Sequence, residues 1–444
     1  MNFFEKCFKL KENNTNVKTE IMAGLTTFMT MAYILIVNPN ILSQTGMDAG
    51  AVLTATAVAA AIGTFCMAAF ANYPFALAPG MGLNAYFTFT VVFQYGYTWE
   101  VALAAVFVEG IVFIILSLVN VREMIFNAIP KNLKAATSVG IGLFIAFIGM
   151  QNAGIIVESP TLVGLGNVKS VSVALALIGT IITLIFVIKK VKGALLWGIL
   201  ATYVLGIICQ LTGLYVVNPD AGMFTLIPSG VVSLPPSISP IFMKMDFSNV
   251  MSLDFVIVVF AFLFVDLFDT LGTLIGVSTK AGFLDEEGKL PKIKGALFAD
   301  AIGTTFGAML GTSTVTTFVE SASGVSDGGR TGLTAFTTGV LFLVALIFTP
   351  IIRVIPSFAT APALIVVGLF MLENVTNIEF SDYTEGFPAF MTILMMVVAY
   401  SISEGLIFGV ISYVLLKLFT GRAKELNPVI IIIAILFLLK LIMG

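Results

Sequence analysis

Long apolar runs, most of them about twenty residues, alternate with short polar stretches along nearly the whole chain. A helix rising 1.5 Å per residue needs about twenty apolar residues to cross the hydrocarbon core of a bilayer. The runs predict spans near 21–37, 49–70, the stretch ending at about 120, 135–150, two more ending near 189 and 212, 253–279, one starting near 295, one ending near 348, and 356–372. Two further spans finish at 417–424, and an apolar tail at 429–443 is left over.

Two stretches break the pattern. In 72–92, Pro74, Pro79, Gly80 and Gly82 interrupt the apolar run, and in 311–330 the sequence reads GTSTVTTFVESASGVSDGGR. Thr312 and Thr314 to Val319 favour extended backbone, whereas Glu320 to Val325 suits the opening of a helix. A strand followed by a half-helix leaves N–H and C=O groups without internal partners. At membrane depth this is tolerated only where protein buries the segment or where it lines a cavity. Counting both stretches, the chain makes fourteen crossings and reads as an all-α polytopic membrane protein with two broken, strand-plus-half-helix elements.

Charge agrees with that count. Lys6, Lys9, Lys11 and Lys18 precede the first span and predict a cytoplasmic N-terminus; Arg122, Lys131, Lys134, Lys189, Lys190, Lys192, Lys280, the 285–294 loop, Lys417, Arg422 and Lys424 then fall on the same side. Arg353 is the exception. The 444 residues are 58% hydrophobic and 11% charged, with a mean hydropathy of +1.06, against about 25% charged in soluble domains. No signal-peptide pattern is present. Cys7, Cys66 and Cys209 fit neither disulfide nor metal spacing and read as packing residues. Histidine is absent, so proton chemistry falls to carboxylates. No metal, cofactor or nucleic acid is expected; membrane lipid is.

The halves echo each other. Ala61-Ile62-Gly63-Thr64 returns as Ala301-Ile302-Gly303-Thr304 before the second broken stretch. Ile129-Pro130 with Gly142-Leu143-Phe144 returns as Ile355-Pro356 with Gly368-Leu369-Phe370, and Gly198 with Tyr203-Val204-Leu205 as Gly409 with Tyr413-Val414-Leu415. With seven spans per half, the second copy enters the membrane inverted. In secondary transporters, paired broken helices in inverted repeats mark a binding site near the midplane.

The segments TTFMTMAYILIVNP (26–39), FALAPGMGLNAYF (75–87), FLFVDLFDTLGTLIG (262–276) and GTSTVTTFVESASGVSDGGRTGLTA (311–335) resemble the nucleobase–cation symporters of the xanthine/uracil permease superfamily. More narrowly, they resemble the azaguanine-resistance branch of hypoxanthine, guanine and adenine permeases, and the resemblance covers essentially the whole chain. It implies the uracil-permease fold of seven plus seven inverted spans. It also implies a core domain (21–120 and 251–350) moving against a gate domain (121–213 and 351–424), with a cytoplasmic segment at 1–20, an external connection at 214–250 and a hydrophobic tail at 425–444. A homodimer is implied as well.

By that resemblance Glu320 contacts the nucleobase, Asp266 is the eighth-span acidic position with Asp269 beside it, and Gly82 and Asn84 are the third-element pair. The residues alone point the same way. A carboxylate within a membrane is costly and marks a pathway, and it can accept two parallel charge-assisted bonds from the N–H edge of guanine. Asn84 offers both donor and acceptor. Phe318, Val319 and Ser321, which flank Glu320, join the expected binding set, and Phe75, Tyr86 and Phe87 are near enough in sequence to bracket a flat ring. Asp266, Asp269 and Glu320 are the proton-coupling candidates, Glu109 is a weaker relay candidate, and sodium is the alternative ion. Asp300, Gly80 and Thr317 are expected to be structural, with Gly80 and Gly82 serving close approach and positive φ. Glu320 has a competing structural role as a helix cap or a partner of Arg330.

The expected function is proton-coupled import of guanine or hypoxanthine, with adenine also within reach, through the cell membrane. A uracil or xanthine permease, or an anion transporter of related fold, is the rival; an anion site would want positive charge where this chain has carboxylates. An enzyme finds no nucleophile–base pair or cofactor fingerprint.

Overall fold

Strands form at the two interrupted stretches because helix is blocked there. Pro79 has no N–H to give a helix or an inner ladder position, and Val315, Thr316 and Thr317 are β-branched. The computed structural model describes residues 3–118, 129–160, 162–218, 223–248, 250, 252–285 and 290–443. Arg122, the end of the expected fourth span and the 286–289 part of the charged loop lie outside them.

The first half holds α1 (Val17–Met31), α2 (Ile34–Leu42), α3 (Ala49–Phe70), β1 (Leu77–Pro79), α4 (Met81–Ala85) with a π-helical continuation at Tyr86–Gln94, and α5 (Trp99–Leu118). Then come α6 (Lys131–Asn152), the hairpin β2 (Ile156–Ser159) and β3 (Leu162–Leu165), α7 (Val171–Ile188) and α8 (Ala194–Leu211). The second half repeats the plan with α9 (Leu253–Ala281), α10 (Ile293–Leu310), β4 (Val315–Thr317), α11 (Ser321–Ser326), α12 (Gly332–Ala345), α13 (Ser357–Leu372), α14 (Tyr383–Val398), α15 (Ile402–Phe419) and a further helix, α16 (Pro428–Met443).

Among the described residues, ten helices are long and apolar enough to cross a membrane. The other four of the expected fourteen crossings are α10, α14 and the two interrupted elements. The hairpin at 156–165 was not anticipated from sequence; its strands pair antiparallel from Ile156 opposite Leu165 to Ser159 opposite Leu162.

Helices α1–α5 and α9–α12 pack mainly on one another: α10 lies on α3 and α5, and α12 on α1 and α3. Likewise α13 packs on α6, α7 and α8, and α14 on α6 and α15. Helix α16 touches α15 of the second group and α9 of the first. Small residues allow the tight approach at the centre, where α3 is rich in Ala and Gly and mostly buried.

Strands β1 and β4 pair antiparallel in the interior, with Leu77 opposite Thr317, Ala78 opposite Thr316 and Pro79 opposite Val315. The repeated tetrapeptides hold them. Thr64 Oγ1 donates to Leu77 O (3.1 Å) and accepts from Leu77 N (2.9 Å). Thr304 Oγ1 does the same for Val315 O (3.0 Å) and Val315 N (3.2 Å). Each hydroxyl thus takes the place of a neighbouring strand at a sheet edge where water is absent. Gly63 and Gly303 face each other across the same point; a Cβ on Gly303 would stand 3.2 Å from the Gly63 Cα and 3.0 Å from Val315 Cγ1. The sequence echo is therefore a matched pair of strand clasps.

Candidate functional site

The segment 312–316 sends hydroxyls to four different elements. Thr312 accepts from Asn38 Nδ2 of α2 (2.9 Å), Ser313 donates to Asn84 Oδ1 of α4, Thr314 donates to Glu109 Oε2 of α5 (2.6 Å), and Thr316 donates to Asp269 Oδ2 of α9 (3.2 Å). The run of Thr and Ser, a poor membrane helix, makes a hub. Each side chain gives a polar contact to an amide or carboxylate of a neighbouring element.

Beyond the hub the chain turns out of β4, and Val319 and Glu320 regain exposure; Val319 is 58% exposed and Glu320 half-buried. Glu320 occupies the position before α11 and its Oε1 accepts from Tyr33 Oη (2.8 Å), at the break between α1 and α2. Thr30 Oγ1 approaches its backbone carbonyl at 3.4 Å. Glu320 is no partner of Arg330, whose guanidinium donates to Val325 O and Gly329 O (both 2.7 Å). Asp269 is the other half-buried carboxylate, and it lies within the electrostatic field of Glu320.

Asp266, one turn earlier on α9, is fully buried instead. Thr270 Oγ1 stands 2.8 Å from Asp266 Oδ1 and 2.8 Å from Asp300 Oδ1 of α10, all three residues being inaccessible. A hydroxyl carries one proton. Thr270 therefore donates to one of the two carboxyls at a time or shares its proton between them. Asp266 thus sits behind the site with Asp300, and Asp269 stands on its open side.

The remaining expected residues divide. Asn84 is buried, with Oδ1 bound to Ser313 and Nδ2 without a partner among the described residues. Ser321 is buried and accepts from Ala76 N (3.0 Å), and Phe318 N donates to Ala76 O (3.0 Å), so both residues tie the passage from β4 into α11 to the residue before β1. Thr317 is buried in the strand pair. Phe75 stacks with Tyr73 at 5.2 Å, Tyr86 meets Phe262 edge-on at 4.7 Å and Phe87 is buried; these rings pack the core. Gly82 is required by close approach, since a Cβ would stand 2.8 Å from Ile141 Cγ2 of α6. Gly80 is likewise crowded, by Thr316 Oγ1 at 3.0 Å. The expectation of positive φ at these two glycines is overturned: Gly80 has φ −72° and neither is among the left-handed glycines.

Sequence reasoning missed Tyr33, Thr270 and Thr316, and also Glu20. Glu20 is fully buried and accepts from Arg330 N (2.9 Å), Thr331 Oγ1 (2.8 Å) and Thr334 Oγ1 (2.7 Å), capping α12 from another helix. Nothing in a lysine-bearing N-terminal stretch marks Glu20 as interior.

Comparison with known proteins agrees with this architecture. Residues 18–408 match the model of the Permease family, the xanthine/uracil permeases. The chain is 44% identical to the adenine permease AdeP of Escherichia coli, over 99% of this chain and 96% of that protein. It is also 44% identical to the guanine/hypoxanthine permease PbuO of Bacillus subtilis, over 98% and 99% of the two. Among solved structures, the transmembrane domain of the cyanobacterial bicarbonate transporter BicA superposes with a TM-score of 0.62 at 16% identity, over 88% of this chain and 97% of that one. That likeness shows the seven-plus-seven inverted fold. With two paired half-crossings meeting at its centre, this multi-pass chain belongs to the xanthine/uracil permease family, a family of transporters and not of enzymes.

Proposed function

We propose that this chain imports free purine bases across the cell membrane by alternating access, with guanine and hypoxanthine preferred and the proton as coupling ion. One observation carries the reading. Asp269 and Glu320 are half-buried carboxylates on different elements, Asp269 with one oxygen held by the Thr316 hydroxyl, and Glu320 reached by the Tyr33 hydroxyl and by its own backbone N–H. Two carboxylates with acceptor capacity left suit a planar ligand rich in N–H groups, as the guanine edge is. They oppose an anion, which the likeness of fold to a bicarbonate transporter would otherwise suggest. Adenine lacks the ring N–H at the corresponding edge and would need a protonated carboxyl. The similarity to an adenine permease and to a guanine/hypoxanthine permease is equal, so the preference rests on that hydrogen-bond argument.

Histidine is absent, so the carboxylates are the groups left to carry a coupled proton, which supports proton coupling. In this reading α1–α5 and α9–α12 form the core that carries substrate, and α6–α8 with α13–α15 form the gate, in a homodimer whose lysine-rich face is cytoplasmic. The test is uptake of radiolabelled guanine and hypoxanthine by cells expressing the chain. Unlabelled adenine, xanthine and uracil serve as competitors, and the arms include a protonophore, sodium removal, Glu320→Gln and Asp269→Asn. Uptake that survives both substitutions would refute the site. Uptake indifferent to the protonophore and lost without sodium would replace the coupling ion.

A further inference from the structure

Tyr33 has its phenol oxygen in the interior, and the side chain is 1% exposed. A buried hydroxyl needs a partner, and the partner here is Glu320 Oε1 at 2.8 Å. The ring sits in the two-residue gap between α1 and α2, so it is fixed at both ends by helix. Helix α11 packs on α1, and Thr30, on the preceding turn, approaches the Glu320 carbonyl. The last side-chain torsion of a glutamate is broad and roughly two-fold, so a carboxylate without a fixed donor has no set plane. The residue's own backbone N–H reaches the Glu320 carboxylate as well, but it moves with the residue; a phenol locked by packing on another element supplies a fixed donor. Thr316 does the same for Asp269 Oδ2 from the strand side.

We propose that Tyr33 is a positioning residue for transport. By holding Oε1 of Glu320, it sets the plane of the carboxylate so that Oε2 meets the ring N–H and Oε1 retains a lone pair for a second, parallel donor on the base. The inference rests on the reading that Glu320 receives a purine N–H edge. It adds a residue on the first span, distant in sequence from both broken elements, to the group that decides how well a two-donor edge is distinguished from a one-donor edge. Guanine presents two adjacent donors there, the ring N–H and the amino group; hypoxanthine presents one. A carboxylate with a free plane keeps a single bond easily and loses the paired arrangement.

The experiment is Tyr33→Phe, which keeps the ring and removes only the hydroxyl, compared with wild type in membrane abundance, in KM and maximal rate for radiolabelled hypoxanthine uptake, and in inhibition of that uptake by unlabelled guanine. Hydrogen bonds to charged groups carry enough free energy for a loss of roughly ten-fold or more. The expected result is normal abundance, maximal rate within about two-fold, and an inhibition constant for guanine raised roughly ten-fold. The hypoxanthine KM should rise less, so that the preference between the two bases narrows. Unchanged constants would overturn the proposal, as would an equal loss for both bases, because a packing role affects every ligand alike. A Y33F chain that fails to reach the membrane also counts against it, since the hydroxyl would then be a folding requirement. Wild-type cells that take up neither base would instead refute the transport reading itself, so the two failures are distinguishable.

Discussion

Thr304→Val tests whether the paired tetrapeptides are strand clasps. Valine has nearly the shape of threonine, so packing is kept and only the hydroxyl is lost. That hydroxyl both donates to Val315 O (3.0 Å) and accepts from Val315 N (3.2 Å), and Val315 is fully buried. The substitution strands two backbone groups, each costing about 1–3 kcal/mol when left without a partner. The added buried methyl offsets about 0.8 kcal/mol of this, which leaves a net loss of about 1–5 kcal/mol. Thr305→Val is the control. Thr305 lies next to Thr304 and is also buried, but its hydroxyl only returns to Ala301 O of its own helix (2.8 Å), a carbonyl already served by the helix. Its loss should cost well under about 1 kcal/mol. Unfolding of a membrane protein is commonly irreversible, so the readout is the half-life of purified, detergent-solubilised protein at fixed elevated temperature. T304V should shorten it strongly, T64V should match T304V, and T305V should barely alter it. Equal half-lives for T304V and T305V would refute the clasp.

Three other perturbations act on single contacts. Glu20→Gln removes the charged acceptor that serves Arg330 N, Thr331 and Thr334 at the start of α12, and should lower stability by about 1–3 kcal/mol, read from the same heat-inactivation assay; no change would show the cap to be dispensable. Lys192, in the α7–α8 turn, pairs with Asp327 just after α11, bridging the two packed groups on the lysine-rich face. An ion pair this exposed contributes at most about 1 kcal/mol, little for the fold but about five-fold in a balance of two conformations. Lys192→Glu, in a chain lacking Cys7, Cys66 and Cys209, should therefore raise maleimide labelling of a cysteine placed at Met29, which lies against Gly193 beside Lys192, several-fold, and adding Asp327→Lys should reverse it; labelling unmoved by K192E would exclude a latch. Arg422 holds the carboxyls of Asp382 and Glu425 down to about 2, from ordinary values of 3.8 and 4.5. Their depressed values make this contribution full above about pH 4.5, fading as pH falls towards 2. The ratio of heat-inactivation half-lives of wild type and Arg422→Met should accordingly be flat above about pH 4.5 and shrink towards one below it; a ratio that persists unchanged towards about pH 2 would exclude this origin.

Length and periodicity placed the ends of most spans within a few residues, the first excepted, whose helix runs on to Thr45, because a bilayer fixes how much apolar chain each crossing needs, and no neighbour is required to read it. Which oxygen faces the ligand is another kind of fact. Asp266 and Asp269 are three residues apart on one helix, about 60° around its axis. A modest rotation decides that Asp266 is inaccessible and Asp269 half-buried, and the packing of α9 on α5 and β4 sets that rotation, which no local pattern records. Tyr33 was illegible for a like reason: within an apolar run its hydroxyl looks no different from that of Tyr86, and only the return of residue 320 to the first span separates them.

The internal repeat carries more than the inverted topology it implies. The element common to both copies, Ala-Ile-Gly-Thr, is the joint that holds the strands, alike in each half because the same backbone groups need the same hydroxyl. Past that joint the copies diverge. One runs Pro79-Gly80-Met81-Gly82-Leu83-Asn84, with small residues that let α6 come close; the other runs Thr316-Thr317-Phe318-Val319-Glu320-Ser321, with the hydroxyl that meets Asp269 and the carboxylate that meets Tyr33. A symmetric frame of this kind can present two unlike surfaces to one ligand: close backbone from one half and acidic oxygens from the other. A flat base with donors along one edge is asymmetric in the same sense. The fold is held where the halves agree, and the chemistry proposed for it lies where they differ.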